Sequence, residues 1–208
     1  FPGVCGRVCP RPCESACLRN DIDEPVSIVG LKRFLADYEL RRGIIPRLAG
    51  PSADKAVGRR LRVVVVGAGP AGLTCASDLA REGYAVRVFE ALPVAGGMLA
   101  VGIPAYRLPK DILRIEIEAI KAQGVEIALN TPVGRNTPLS TLVDEYDAVF
   151  LAAGAQALRP LGVPGERRLK RGIISWARLL REVSLGRGEG PGSIAGQTLV
   201  VMKRSPLS

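Results

Sequence analysis

The 208-residue chain contains no histidine. That absence excludes histidine general bases, histidine metal ligands and every Ser-His or Cys-His nucleophile pair. Aromatic residues make up only 4% of the chain, and no basic stripe is interleaved with stacking side chains, which makes nucleic acid the weakest choice of partner. There is no run of the roughly 18 apolar residues that a membrane-spanning helix needs. The first residues, Phe1-Pro2-Gly3, do not form the charged-then-apolar pattern of a secretory leader. A cytoplasmic protein without a membrane span is expected. No methionine opens the chain and Cys5 follows almost at once, so the natural protein is expected to begin further upstream.

What is present is an apolar fraction of 47%, enough for a packed core, and a formal charge of +9. The charge sits in arginine clusters such as Arg59-Arg60-Leu61-Arg62 and Arg167-Arg168-Leu169-Lys170-Arg171. Runs of this kind form solvated faces, and they also suit an acidic partner subunit or a phosphorylated cofactor.

Four of the five cysteines, Cys5, Cys9, Cys13 and Cys17, stand in a C-x3-C-x3-C-x3-C array. A disulfide knot needs an oxidising compartment, and structural zinc favours C-x2-C knuckles set far apart. Thiolate ligation of iron-sulfur clusters fits better, because Cys9-Pro10 echoes the Cys-Pro of ferredoxin-type runs and soft thiolates suit iron in a reduced compartment. The spacing is not the ordinary C-x2-C-x2-C-x3-C, and neighbouring cysteines can serve different clusters, so four thiols do not establish one complete cluster. After the array, Asp23-Glu24-Pro25 marks a helix start, and Ile28, Leu31, Phe34, Leu35 and Tyr38 recur at helical spacing as a packing stripe that ends near Gly43. Residues 1–45 read as a small α-helical domain, and the Pro, Gly, Ser and Ala content of 46–60 reads as a linker.

Residues 61–66, Leu-Arg-Val-Val-Val-Val, have the continuous apolar character of a buried parallel strand. Gly67-Ala68-Gly69-Pro70-Ala71-Gly72 follows at once and matches G-x-G-x-x-G, and Leu73, Ala76, Leu79 and Ala80 give the apolar face of a helix closed by Gly83. A second strand over 85–89 ends on Glu90. The three glycines act in different ways. Gly67 allows the tight turn, Gly69 lets backbone approach a pyrophosphate, and Gly72 lets helix and strand pack closely. The helix N-terminus offers N–H groups and partial positive charge to phosphates, and Glu90 is placed to accept from ribose hydroxyls. Cys75, inside the helix, reads as a core thiol.

Further on, Gly96-Gly97-Met98 and Gly102-Ile103-Pro104 form a glycine-rich stretch where backbone can approach a flat ring or phosphate. Residues 110–123 read as a helix stopped by Gly124, 125–129 as a strand, and 147–152 as a strand running into Ala153-Gly154. The expected fold class is α/β, a cysteine-rich α-helical domain followed by a Rossmann-like domain with a parallel sheet over 61–190.

These residues resemble the family of the bacterial glutamate synthase small (beta) subunit and the corresponding region of dihydropyrimidine dehydrogenase, over residues 1 to about 201. The likeness rests on F-P-G-V-C-G-R-V-C-P with its following cysteines, E-P-V-S-I-V-G-L-K-R-F, V-V-G-A-G-P-A-G-L, G-G-M-L-A-V-G-I-P-A-Y-R-L-P-K and V-F-L-A-A-G-A. The resemblance implies an NAD(P)H-dependent flavoprotein oxidoreductase in which electrons pass through FAD and [4Fe-4S] clusters to a catalytic partner subunit or acceptor protein. It implies FAD phosphates at Gly67, Ala68, Gly69, Pro70, Ala71 and Gly72, ribose at Glu90, and further contacts from Gly97, Met98, Arg107, Val133, Ala153 and Gly154. It implies cluster ligation by Cys5, Cys9, Cys13 and Cys17.

Three departures qualify it. Family members carry a further cysteine cluster upstream, from which clusters are completed. The three-residue gap between Cys9 and Cys13 is shorter than that usual in glutamate synthase, which favours an electron-transfer adaptor of another multi-subunit NAD(P)H oxidoreductase. Residues 191–208 read as the start of an NAD(P)H-binding domain or a truncated tail, with a strand over 197–202 but no glycine fingerprint after it. A chain cut there would need its full-length form to accept hydride from NAD(P)H, and a non-catalytic assembly module is the alternative in another class.

Overall fold

The computed structural model describes residues 1–43, 61–134, 137–155 and 174–186. The expected linker, the strand over 197–202 and the tail after it lie outside the described residues. The chain divides into two compact units, Phe1–Gly154 and Ala155–Ser208.

The first unit opens with three helices, α1 (Pro2–Val8), α2 (Pro12–Ser15) and α3 (Ile28–Arg41), with a 3₁₀ turn over Leu18–Asp21 between the last two. Two of them begin with proline at the first turn, where a missing N–H costs nothing. Helix α3 starts at Ile28, later than the acids at 23 and 24 suggest, because its opening amide is taken by another element: Val29 N donates to Glu14 Oε1 at 2.8 Å.

The packing stripe expected on α3 is corrected by the structure. Leu31, Phe34 and Leu35 are 56–60% exposed, and the buried residues are Val29 and Ala36. Close approach of backbones explains the rotation, since a Cβ on Gly6 of α1 would stand 2.8 Å from Arg33 Cα. The face pressed on α1 is therefore Val29, Arg33 and Ala36, and the Arg7–Asp37 ion pair (2.5 Å) closes its flank.

A parallel sheet follows, built from β1 (Arg62–Val66), β2 (Ala85–Phe89), β3 (Glu126–Ala128) and β4 (Ala148–Leu151) in the order β3-β2-β1-β4. Val63 of β1 pairs with Val86 of β2 on one side and Ala148 of β4 on the other. The crossovers carry α4 (Pro70–Arg81), the short α5 (Met98–Val101), α6 (Lys110–Lys121) and α7 (Leu139–Glu145). The β-branched run predicted from 61–66 is the central strand β1, covered on both faces. On one face Val65 and Val88 meet Leu73 and Ala76 of α4 and Leu113, Ile117 and Ile120 of α6, and Val4 of α1 enters this same cluster. On the other face Val64, Val66 and Phe89 meet Leu142 of α7.

Among the described residues of the second unit, α8 (Trp176–Ser184) is capped by Ser175, whose hydroxyl accepts from Arg178 N, and carries an Arg178–Glu182 pair four residues apart.

Candidate functional site

The glycine turn sits where β1 ends and α4 begins, and its glycines serve different ends. Gly67 has φ +107°, and a Cβ there would lie 2.3 Å from Ala152 O. At Gly72 a Cβ would lie 1.9 Å from Gly67 O, so helix and turn touch backbone to backbone. Gly69 differs from both. Its φ of −78° suits any residue, and among the described residues nothing stands within 4 Å of where its Cβ would project. No contact among the described residues requires glycine at 69; open space beside them is what the absent side chain leaves. Pro70 takes the first position of α4, and among the described residues no side chain caps the helix.

The second glycine-rich stretch closes over this turn. Gly96 N donates to Ala68 O at 2.7 Å, and a Cβ on Gly97 (φ +53°) would stand 2.8 Å from Gly69 Cα. Met98 folds back, its Cε 2.2 Å from a Cβ built on Gly102. Ala152-Ala153 runs along the far side, with Ala153 Cα 3.3 Å from the Gly67 Cβ position, and Gly154 follows at φ +72°.

Glu90 is 7% exposed and turns toward the glycine turn. Its Oε2 accepts from Ala68 N at 2.7 Å and its Oε1 from Leu92 N at 2.8 Å. The carboxylate thus braces the turn, and each oxygen keeps a lone pair for a ligand hydroxyl. The structure brings Gly67 to Gly72, Glu90, Gly97 and Ala153 together at the carboxyl end of the parallel strands, where open α/β sheets bind ligands. Arg107 is exposed, its backbone N–H bonded to Pro104 O, and Val133 bridges to Thr137 and packs beside Phe89 and Leu142. Among the described residues, no hydrogen bond or ion pair joins Arg107 or Val133 to the turn.

Two site-supporting residues escaped the sequence reading. Lys110, at the first position of α6, sends Nζ to Leu99 O (2.9 Å) and Ile103 O (2.5 Å), and burial pushes its pKa down. Glu116 reaches the start of α1. Each carries a signal in the sequence: a lysine at a helix N-terminus opposes the helix dipole, and a glutamate interrupts the apolar face of Ile112, Leu113, Ile117 and Ile120.

All five cysteines are free thiols. Cys5 and Cys13 are exposed, Cys9 and Cys17 half-buried, and among the described residues no three metal-ligating side chains of the His, Cys, Asp and Glu types converge. The four array thiols therefore do not close on one centre within this chain. Their donor type suits iron, and Cys17 is biased toward thiolate: a backbone hydrogen bond from Val26, then one from Arg19, holds its pKa below the ordinary thiol value. Cys75 is half-buried in α4, and burial, with Asp78 adding to it, pushes its thiol up.

Sequence comparison bears on both halves. A family described as pyridine nucleotide-disulphide oxidoreductase matches residues 61–195, and a domain described as dihydropyrimidine dehydrogenase domain II, 4Fe-4S cluster, matches residues 1–44. The chain is 51% identical over 201 residues to the NADP(+)-dependent formate dehydrogenase subunit beta of Moorella thermoacetica, covering 89% of this chain and 28% of that one. It is 45% identical over 195 residues to the NADPH-Fe(3+) oxidoreductase subunit beta of Geobacter sulfurreducens, covering 92% and 28%. The glutamate synthase [NADPH] small chain of Escherichia coli K12 shares 42% over 162 residues, covering 76% and 33%. The chain thus spans about a third or less of the length of these relatives.

Proposed function

From a chain that belongs to the pyridine nucleotide-disulphide oxidoreductase family, we propose an electron-transfer subunit that takes reducing equivalents from NAD(P)H and delivers them to a partner protein. The family is one of flavoprotein oxidoreductases using FAD and NAD(P)H, and the N-terminal match is to a [4Fe-4S] domain. The reading is carried by one observation: the open cradle over Gly69, between the start of α4 and Gly97, with Glu90 beside it.

In this proposal residues 1–45 are the cluster domain, 46–60 a linker, 61–190 the flavin domain and 191–208 the start of a nucleotide-binding domain. Bound at the cradle, FAD supplies hydride acceptance and release of electrons one at a time. The chain's own residues do the rest. The turn from Gly67 to Gly72 presents backbone N–H groups and the positive end of α4 to the pyrophosphate. Glu90 keeps Ala68 in place and offers its free lone pairs to the ribose, disfavouring a phosphate there by charge. Gly97 and Met98 close one wall, Ala153 and Gly154 the other. Arg107 is assigned to offset negative charge on the reduced ring, and Val133 to a peripheral contact. Cys5, Cys9, Cys13 and Cys17 are assigned as thiolate ligands shared between clusters that other cysteines complete, as neighbouring cysteines of one run can serve different clusters.

Among possible partners, the two relatives with higher identity are beta subunits of a formate dehydrogenase and an Fe(3+) reductase, which favours an adaptor of such an assembly over a glutamate synthase. Anaerobic production with the visible spectrum recorded tests the reading. Flavin bands with a broad absorbance near roughly 400 nm, as thiolate-bound iron gives, are the expected result. A folded, colourless protein that takes up neither FAD nor iron overturns it in favour of an assembly module.

A further inference from the structure

Helix α6 carries a buried acid that the flavin reading does not use. Glu116 is 8% exposed within an apolar stripe, where an unsatisfied carboxylate is costly. Its partners come from the far end of the chain: Oε1 accepts from Gly3 N at 2.7 Å and Oε2 from Val4 N at 3.2 Å. Those amides open α1, the helix that contains Cys5 and is closed by Cys9. Fit is tight here, since a Cβ on Gly3 would meet Ile112 Cγ2 at 2.9 Å, and Val4 is 3% exposed. From the other side α3 holds α1 through the Gly6–Arg33 approach and the Arg7–Asp37 pair.

Less than two turns earlier on α6, Lys110 grips the α5 loop through Leu99 O and Ile103 O, and that loop rests Gly97 on Gly69. One helix thus holds the dinucleotide turn through its first residue and the thiol-bearing helix through its seventh.

We propose that Glu116 is a positioning residue that sets the place of α1, and with it Cys5 and Cys9, relative to the dinucleotide turn. Passage of electrons between the two cofactor sites then depends on its carboxylate. The inference rests on the flavin and cluster assignment above. Each passage removes one electron from the reduced flavin and adds one to a cluster, so no further reactant enters.

The test uses the full-length polypeptide, loaded with flavin and iron, as wild type, Glu116→Ala and Glu116→Gln. Two quantities are read: amide hydrogen exchange over residues 2–8, and the rate at which the cluster signal develops after the flavin is reduced. In the alanine variant exchange over 2–8 is expected to rise at least about tenfold, and cluster reduction to slow by a similar factor, in line with the sensitivity of positioned groups to shifts of about 1 Å. Glutamine keeps one acceptor oxygen and is expected to restore part of both. Wild-type protection over 2–8 in the alanine variant overturns the proposal. Lost protection with an unchanged rate of cluster reduction overturns it too. If the alanine variant fails to retain iron, the glutamine variant decides by the same two readings. If wild type itself holds neither flavin nor iron, the functional reading fails, while exchange over 2–8 still decides whether Glu116 holds α1.

Discussion

At Gly69 and Gly72, three residues apart, the same substitution separates two kinds of glycine. Gly72→Ala drives a methyl to within 1.9 Å of Gly67 O, and overpacking against backbone is expected to cost about 2–4 kcal/mol in chemical denaturation. Gly69→Ala meets none of the described residues and keeps an ordinary φ, so stability is expected to change by less than about 0.5 kcal/mol. Flavin affinity is nevertheless expected to fall at least about tenfold, since displacing a close contact costs about 1.4 kcal/mol or more. Equal flavin binding by Gly69→Ala and wild type would remove the cradle from the site. Cys17 gives a second prediction at this scale. The backbone hydrogen bond from Val26 depresses its folded pKa, so thiolate persists to lower pH than in the unfolded chain, where a thiol ionises near about 8.5. The associated stabilisation is present above the unfolded value and is lost as pH falls through the folded one. Its alkylation by iodoacetamide, followed by peptide mass spectrometry in iron-free protein, should therefore show a midpoint below that of the same peptide in denaturant. The tight turn at Gly67 and the close helix packing at Gly72 could be read from the G-x-G-x-x-G spacing because steric rules at such turns are local. The brace from Glu90 to Ala68 N could not, because it depends on how β2 meets the turn in space.

Among the elements, α6 is the most consequential. Lys110→Met keeps the length of the side chain and removes the donor shared by Leu99 O and Ile103 O. Loss of about 1–3 kcal/mol is expected, measured by urea unfolding, because two carbonyls lose a charged partner. The existence and start of α6 were legible, but the helix read over 110–123 ends at Lys121 with Ala122 as its cap, shortly before Gly124 at φ +93°. Helix α3 shows the opposite case. Its helical period was visible, but its buried face was not, because the large residues at 31, 34 and 35 stand outward while a glycine-to-backbone contact decides which side meets α1. Periodicity reports that a face exists; small residues on a neighbour decide which face is used.

For the molecule as a whole, the expected α/β architecture with a parallel sheet is present, since βαβ order, buried strands and glycine stops all act through local pattern. The meeting of residues 1–8 with α6 lies across more than a hundred residues and left only the misplaced Glu116 as a trace in the sequence. Ligand linkage gives the prediction at this scale. FAD at about a hundred times its Kd should stabilise the chain by about 2.7 kcal/mol, a rise in Tm of about 5–10 °C for a protein of this size. No change in the melting curve at any FAD concentration would count against flavin binding. A further consequence follows from Val4, which enters the same apolar cluster as Val65 and Leu73. The cysteine segment is a plug seated in its neighbour's core, so a recombination that exchanged only the first forty or so codons would import a stopper cut for another bottle. Lineages should therefore inherit the two halves as a single cassette.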